Sequence, residues 1–305
     1  MNKNYYLVKK RALMTKSCLL CNYNKFDTIS SKIRDSKNHK IIKCKKCNHI
    51  QIFPVPTIDE DKEFYDENLQ DKNINYFGGI KEYRKKSVED TMRRENMIKK
   101  HVKKSDKILE IGSGHGFFIE SLHKKGYNII GIEISKEKRR LAKRITRAKI
   151  LDIDINQKIP KLEKFNVIIL FHVLEHIIDP IEFLKKIKSM LSKNGKIIVE
   201  VPNSDDLQLM NNQKYREFYW QRAHIHYFNP TILKMVFKKA GLTREIFGIQ
   251  RYSIENMISW KLTGKPQLDE PTYSLEKPYD WLDVLYKKKM ENSLKCDTII
   301  CIGKC

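Results

Sequence analysis

The chain has 305 residues, of which 41% are hydrophobic and 32% charged, and its formal net charge is +23. This much apolar material can form a folded core, which excludes global disorder, and no run of about 18 apolar residues is present to span a membrane. The N-terminal residues lack the apolar stretch of a secretion signal, so we expect a cytoplasmic location. The lysines are scattered over most predicted helices, which disfavours a nucleic-acid partner and suits a phosphorylated or nucleotide-linked small molecule.

Two CxxC pairs stand near the start of the chain, in CLLCNYN and CKKCNHI. Four thiolates from two tight turns can surround one Zn²⁺ ion, whereas redox-active CxxC pairs are the alternative interpretation. The pattern predicts a zinc-ribbon module over residues 1–56. Four protein ligands leave no open position, so we expect a structural metal. The predicted ligands are Cys18, Cys21, Cys44 and Cys47.

From residue 105 onward, short apolar strands alternate with amphipathic helices. This alternation predicts right-handed crossovers and an α/β fold with a doubly wound, Rossmann-like, seven-stranded sheet. The last strand is expected to run antiparallel, in a hairpin at the sheet edge. The domain is predicted over residues 105–305, with an irregular excursion at 253–295. The predicted strands lie within residues 107–112, 128–135, 148–154, 165–171, 195–202, 243–253 and 296–304.

A glycine-rich loop, IGSGHGFF, follows the first of these strands. Ligands of open parallel sheets bind beyond the carboxyl ends of the strands, and glycines let the backbone approach them closely. The spacing is GxGxG, and Phe117 stands where the dinucleotide fingerprint has its third glycine. This departure argues against NAD as the ligand.

Acidic residues lie near the carboxyl ends of three successive predicted strands. Glu110 lies two residues before the loop and can hold an ammonium group, and Glu133 ends the second strand, where a carboxylate can accept both ribose hydroxyls. Asp152 or Asp154 ends the third strand, in position for an adenine amino group. These acids fit a cationic, ribose-bearing ligand better than a pyrophosphate.

The segments LEIGSGHG, GIEIS, LDID, VIILFHVLEHIIDP, GKIIVEVPN and HIHYFNPTILKMVFKKAGL follow one another across residues 107–242. In this order they resemble class I S-adenosylmethionine-dependent methyltransferases of the small-molecule branch. The branch that methylates exocyclic amines of nucleic acids carries Asn/Asp-Pro-Pro-aromatic where this chain has FHVL. The resemblance implies S-adenosylmethionine as the cofactor. The expected cofactor contacts are Glu110, Gly112, Ser113, Gly114, Gly116, Glu133, Ile134, Asp152, Asp154, Phe171, His172 and Val173.

A zinc ribbon before such a domain resembles enzymes that methylate nucleotide-linked sugars and other bacterial surface-glycan precursors. In those relatives the ribbon and the aromatic residues after it form the substrate cleft. The resemblance therefore implies that residues 57–104 are a helical linker and substrate cap, with Tyr65, Tyr76 and Tyr83 as candidate contacts. It also implies a role in polysaccharide biosynthesis, with a nucleotide-sugar or capsule-type glycan precursor as the acceptor.

The methylated atom is expected to be oxygen. The C-methylating relatives carry Glu-His where this chain has Ala223-His224, and the missing carboxylate disfavours methylation at carbon. A sugar C-methyltransferase is therefore the alternative. An RNA-directed methyltransferase or RNA-binding protein is a further alternative. An alcohol must lose its proton on methylation, which calls for a base such as histidine. We expect His224 first, His176 second and then His226, with residues 250–256 completing the acceptor pocket.

Overall fold

The computed structural model describes residues 17–56, 79–157, 162–265 and 273–304. Strands in these ranges form two sheets, one of four strands and one of seven. The strands are β1 (Phe26–Ser30), β2 (Lys40–Cys44), β3 (Ile50–Phe53), β4 (Lys107–Ile111), β5 (Asn128–Ile132), β6 (Ile150–Leu151), β7 (Phe165–Phe171), β8 (Leu191–Pro202), β9 (His226–Tyr227), β10 (Glu245–Ile249) and β11 (Thr298–Lys304).

The larger sheet has the strand order β10-β11-β8-β7-β4-β5-β6. Strands β4 to β8 are parallel, and β11 is antiparallel to both of its neighbours. The predicted α/β fold with seven strands and an antiparallel last strand is therefore confirmed. The two late strands pair antiparallel at one edge of the sheet, as expected, with β10 outermost and β11 inside it. β11 is apolar and buried on both faces, which suits an interior position, whereas β10 is partly exposed and forms the edge.

Helices cover both faces of the larger sheet. A 3₁₀ turn over Leu174–His176 follows β7. The α-helices are α1 (Gly79–Ile98), α2 (Phe117–Lys124), α3 (Lys136–Ile145), α4 (Pro180–Lys188), α5 (Leu207–Asn211), α6 (Gln213–Tyr219), α7 (Pro230–Lys239), α8 (Ile254–Thr263) and α9 (Asp280–Asn292). None of the helices in the described ranges combines the length and the apolar character needed to cross a bilayer.

The segment 253–295, predicted as an irregular excursion, contains two helices in its described parts. The Ser253 side chain accepts a hydrogen bond from the Asn256 amide and caps α8, and Gly264 ends this helix with a φ of +65°. Ile258 and Leu262 of α8 and Val284 and Leu285 of α9 face solvent. Because apolar residues stand on the exposed faces as well, these helices lack the one-sided pattern that reveals a helix in sequence.

The smaller sheet has the order β1-β2-β3-β9. β9 comes from the middle of the chain and pairs antiparallel with β3, with Tyr227 opposite Ile50. Side chains from both parts then share one buried cluster, which includes Ile41, Ile52, Trp220, Ile225 and Tyr227. The sheet that carries the cysteines is thus completed by a strand from beyond the predicted boundary at residue 56.

Candidate active site

The glycine-rich loop connects β4 to α2. Gly112, Gly114 and Gly116 have φ angles of +74°, +53° and +78°, a left-handed conformation that favours glycine. The amides of Gly112 and Ser113 donate to the Ile132 carbonyl at 2.8 and 3.0 Å. A Cβ on Gly112 would lie 2.4 Å from Val173 Cγ2, and one on Gly116 would lie 3.0 Å from the Ala142 Cβ. The loop therefore packs directly against the segment after β7.

Glu133 fixes the shape of this loop from the end of β5. Its Oε2 accepts the Gly114 amide at 2.7 Å, and its Oε1 accepts the Ser135 amide at 2.8 Å. Each carboxylate oxygen has two lone pairs, so both retain acceptor capacity for ligand hydroxyls. Glu133 thus combines a structural role with the predicted capacity to bind a ribose.

Glu110 lies beneath the loop with 4% of its surface exposed. Burial raises its pKa to about 8, and Glu133 adds to this effect against the opposing charge of Arg94. Within the described residues, no group hydrogen-bonds to Glu110 Oε2 or to the buried Ser113 Oγ. Unpaired buried oxygens beside a backbone cradle fit a ligand that brings its own N–H donors and positive charge. The methionine moiety of S-adenosylmethionine has these properties.

The acids of the third strand are less enclosed than the sequence suggests. Asp152 is 70% exposed at its side chain, and its Oδ2 accepts a hydrogen bond from Arg139 at 2.6 Å. Asp154 accepts the amide of Asn156 and the side chain of Gln157, both at 2.9 Å. Asp152 therefore keeps more accessible acceptor capacity than Asp154.

The predicted floor residues after β7 separate into different roles. Phe171 is buried and packs edge-on against Phe118, with ring centroids 5.0 Å apart, so its side chain belongs to the core and not to a ligand surface. Val173 lies under Gly112. Ile134 is 59% exposed beside the loop, where it can cover a ligand. The assignment of Phe171 as a floor residue is corrected, because its ring points into the core.

His172 occupies an ion-pair position. Its φ is +54°, and its ring nitrogens lie 3.3 Å from Glu175 Oε1 and 3.2 Å from Glu200 Oε1. Burial lowers the pKa of His172, but the two carboxylates outweigh it and raise the pKa above the usual value. The ring therefore lies between two buried acids, and its place in the cofactor floor stays a prediction.

Glu200 of β8 is fully buried and joins the sheet to α1. Its two oxygens accept from Arg93 at 2.8 and 2.9 Å, and Oε1 also accepts from Arg94 at 2.7 and 3.0 Å. Burial would raise the pKa of Glu200, but the arginines hold it well below its usual range. This cluster was not predicted from the sequence, although the acid inside the apolar strand KIIVEV is a signal that could have revealed it.

Glu175, His176 and His224 form a second cluster beside the loop. His176 Nδ1 donates to the Ala223 carbonyl at 2.7 Å, and the rings of His176 and His224 are 5.0 Å apart. Burial would raise the pKa of Glu175, but the surrounding imidazoles hold it at about 2. One ligand atom from each of the three residues lies within 4.8 Å of the others. The structure therefore brings together two of the three histidines predicted as bases.

His224 and His226 differ from the expected free bases. Burial and the nearby His176 lower the pKa of His224 to about 3, far below the range in which a general base works best. His226 Nδ1 lies 3.0 Å from His49 Nε2, and His226 Nε2 donates to the Ile178 carbonyl at 3.2 Å. Because both nitrogens of His226 are engaged in the core, the assignment of His226 as a base is corrected.

The four cysteines converge as the spacing predicts. Their Sγ atoms are 3.6 Å apart for Cys18 and Cys47 and 3.5 Å apart for Cys21 and Cys44, and all four lie within 4.8 Å of one another. Thiolates bound at 2.3 Å to a tetrahedral Zn²⁺ would be about 3.8 Å apart. This donor set fits a structural Zn²⁺ ion.

The helix predicted as a cap covers the glycine-rich loop in its described part. The Tyr83 ring lies 4.4 Å from the ring of His115, which is in the loop. Tyr65 and Tyr76 lie outside the described residues. From the predicted pocket segment 250–256, Arg251 binds Asp90 of α1, and Tyr252 stacks on Tyr273 at 5.2 Å. A cavity of about 280 Å³ lies between these elements, lined in part by Asp90, Arg251 and Tyr273.

Comparisons with known proteins all find methyltransferases. A family model described as "Methyltransferase domain" matches residues 70–245. A ubiquinone biosynthesis O-methyltransferase of Pelagibacter ubique is 26% identical over 216 residues, which cover 67% of this chain and 88% of that protein. One of Bradyrhizobium diazoefficiens is 32% identical over 101 residues, and the match spans 32% of this chain and only 40% of that protein.

A solved structure gives the same architecture. It is the complex between the Haloferax volcanii Trm112 methyltransferase activator and a methyltransferase. The matched chain is 16% identical with a TM-score of 0.51, and the alignment covers 79% of this chain and 96% of that chain. At this level of identity the likeness establishes the fold alone.

Proposed function

Because this chain belongs to the methyltransferase-domain family and is an S-adenosylmethionine-dependent methyltransferase, we propose that it O-methylates a small molecule with a free hydroxyl group. The observation that carries the proposal is the cluster of Glu175, His176 and His224 directly after the segment that packs on Gly112. An acceptor hydroxyl there would meet polar groups next to the methyl donor. The Pelagibacter relative, named as an O-methyltransferase, supports oxygen as the methylated atom.

The cofactor residues have separable roles in this proposal. Glu110 and Ser113 offer buried oxygens to the methionine moiety, the loop amides approach it, and Glu133 accepts the ribose hydroxyls. Asp152 remains the better candidate for the adenine amino group, because Asp154 is already used in its own turn. When bound, S-adenosylmethionine supplies a methyl group on a sulfonium, which leaves a neutral thioether after transfer. The chain's main contribution is then to orient the acceptor and to exclude water.

The surroundings of His224 favour an acceptor with a ring. The His224 ring lies 5.8 Å from that of Tyr227, which also contacts Trp220 at 4.7 Å and Tyr219 at 5.7 Å. The Tyr219 hydroxyl is buried and, within the described residues, has no hydrogen-bond partner. Trp220 and Tyr227 belong to the buried cluster described above, and aromatic side chains with a few polar groups are typical neighbours of flat organic ligands. We therefore place a hydroxylated aromatic compound first, in keeping with the names of the relatives.

A nucleotide-linked sugar is the second candidate, and one observation favours it. Arg34, from the cysteine-bearing module, donates to Gln221 at 2.7 Å and lies near enough to His224 to influence its pKa. A guanidinium at this place can bind a phosphate. A polysaccharide-biosynthesis role would follow if the acceptor is such a sugar.

The test is methyl transfer from labelled S-adenosylmethionine to a panel of hydroxylated aromatics and a panel of nucleotide sugars. We expect a methyl ether, identified by NMR, on a member of the aromatic panel. His224→Ala should slow turnover at least about 100-fold with unchanged affinity for S-adenosylhomocysteine. The exposed His123→Ala is the matched control and should behave as the unmodified protein. Methylation at carbon or nitrogen, or salt-sensitive methylation of RNA, would contradict the proposal.

A further inference from the structure

Helix α9 presents an apolar stripe to solvent. Trp281, Val284 and Leu285 are 55%, 63% and 58% exposed, and their spacing places them on one side of the helix. Single exposed apolar residues are usual on a protein surface, whereas adjoining ones mark an interaction site. We infer that this α9 stripe is the contact between two copies of this chain, which pair through antiparallel α9 helices. The contact does not depend on the proposed O-methylation.

The other side of α9 is bound to its own subunit. The carboxylate of Asp283 accepts the Ile254 amide at 2.8 Å and the Leu275 amide at 2.6 Å. Near the end of the helix, Glu291 Oε1 accepts the Gln250 amide at 3.0 Å. The α9 stripe is therefore not the side that packs on the rest of the chain. Because these bonds also hold the segment 250–256, a contact at α9 would stabilise the segment predicted to complete the acceptor pocket.

The charges beside the α9 stripe are arranged for pairing with a second copy. Asp280, Val284 and Lys288 follow one another at intervals of four residues, so they form one row on the helix surface, and all three are exposed. A two-fold axis at Val284 would place Asp280 of each copy beside Lys288 of the other. A parallel arrangement would instead bring lysines against lysines. The row is thus complementary to itself only when the helices run in opposite directions.

The shape of the surface supports the same arrangement. An open depression of about 510 Å³ lies along the second half of α9 and is lined by Leu285, Lys288, Lys289, Asn292 and Ser293. The antiparallel arrangement brings Trp281 of the second copy to the level of this depression. An indole ring can pack on the apolar stems of lysines and attract their ammonium groups. The helix therefore carries both the projecting side chain and the place that receives it, as a two-fold contact requires.

A membrane surface is the other occupant that an apolar stripe with neighbouring lysines suits. Asp280 argues against it, because this exposed acid in the same row would face anionic headgroups there, whereas it is paired in the dimer. The net charge of +23 on each copy opposes association. At about 0.15 M salt the repulsion between distant charges is largely screened, so the dimer is expected under these conditions.

The test begins with sedimentation velocity of the full-length, zinc-loaded chain in physiological salt at increasing protein concentration. One helix from each copy makes a small interface, so we expect a monomer–dimer equilibrium with a dissociation constant on the order of 1–100 μM. Leu285→Asp would bury two like charges near the axis and should weaken the dimer at least about 10-fold. Val88→Asp puts the same charge on an exposed position of α1 and should leave the equilibrium unchanged.

An exchange of charges tests the antiparallel pairing itself. Asp280→Lys and Lys288→Asp should each weaken self-association, because each variant brings like charges together in its own dimer. An equimolar mixture of the two variants should recover the dimer, since every pair in the mixed dimer joins a lysine to an aspartate. All the substituted side chains are exposed, so folding should be unaffected, and circular dichroism checks this.

Four results would overturn the proposal. The chain could stay monomeric at all concentrations, or form a dimer that Leu285→Asp does not weaken and that therefore uses another surface. The mixture of charge variants could stay monomeric, which would exclude the antiparallel pairing. A monomer that sediments with phosphatidylglycerol vesicles, and loses this binding in Trp281→Ala, would assign the α9 stripe to a membrane surface. If Leu285→Asp does not fold, the mixture of charge variants decides.

Discussion

Glu110 is the residue at which ligand binding and stability oppose each other. Burial raises its pKa from the usual 4.5 to about 8, so the folded chain holds the proton more tightly than the unfolded chain does. The stability that this proton contributes is complete below pH 4.5 and is lost as the pH rises through 8. A ligand cation would instead favour the ionised carboxylate, which is a reason for a buried acid at this position.

We predict that Glu110→Gln stabilises the free protein and weakens cofactor binding. The glutamine carries no charge to bury, so the free energy of unfolding at pH 8 should rise by roughly 1–4 kcal/mol, and the gain should shrink toward pH 5. Urea unfolding at several pH values measures the first effect, and calorimetry with S-adenosylmethionine measures the second. Glu245→Gln, which alters an exposed acid on β10, is the control. A pH-independent stability difference would contradict the explanation.

The residues that sequence predicted best are those fixed by the backbone. Gly112 and the four cysteines are recognisable because a tight turn or a metal knuckle needs that residue type at that spacing. The direction of a side chain is harder to predict. Phe171 and His172 are neighbours, yet one ring enters the core and the other meets two carboxylates, because a positive φ at His172 redirects the chain. No spacing rule contains that information.

At the scale of elements, α1 is attached to the sheet by charge. Arg93 and Arg94 both bind the buried Glu200 of β8, and Arg94 also lies over the Phe171 ring at 4.5 Å. The same helix carries Tyr83 across His115 in the glycine-rich loop. The attachment therefore positions the cover of the candidate cofactor site.

We predict that Glu200→Ala lowers the free energy of unfolding by about 3–5 kcal/mol, because it leaves two arginines and His172 without their buried partner. Urea denaturation followed by circular dichroism is the measurement. Faster amide hydrogen exchange in α1 should accompany the loss. Glu163→Ala removes an exposed ion pair with Lys107 and should leave the free energy of unfolding nearly unchanged. Equal costs for the two variants would show that the buried cluster does not hold α1.

Strands with a long apolar run could be predicted from the sequence, and very short strands could not. The parallel strands could be predicted from apolar runs bounded by turns, and β7 has the predicted bounds. The strand predicted from residue 195 begins earlier, because α4 ends at Lys188 and β8 starts at Leu191. β9 has two residues and no pattern of its own, so only the partner strand β3 reveals it.

At the scale of the whole molecule, the cysteine-bearing module and the methyltransferase fold are joined by backbone hydrogen bonds and a shared buried cluster. The Arg34 amide donates to the Trp220 carbonyl at 3.0 Å and the Ile52 amide to the Ile225 carbonyl at 3.1 Å. Lys239 of α7 donates to the Leu20 carbonyl at 2.8 Å. The first two bonds join the module to the segment that carries His224, and the third joins it to α7. A substitution in the module should therefore also alter the structure of the candidate active site.

We predict that the zinc ion and the larger sheet are lost in one transition. In a urea titration, release of zinc to a coloured chelator and loss of the circular dichroism signal should share a midpoint, because unfolding the module would expose Ile225 and Tyr227 and remove the pairing of β9. Cys44→Ser should lower both midpoints together, since it removes one of four ligands. The exposed Ser31→Ala in the same module is the control and should move neither. Zinc release at a clearly lower urea concentration would show that the module unfolds on its own. It would contradict the coupling between the zinc site and the active site.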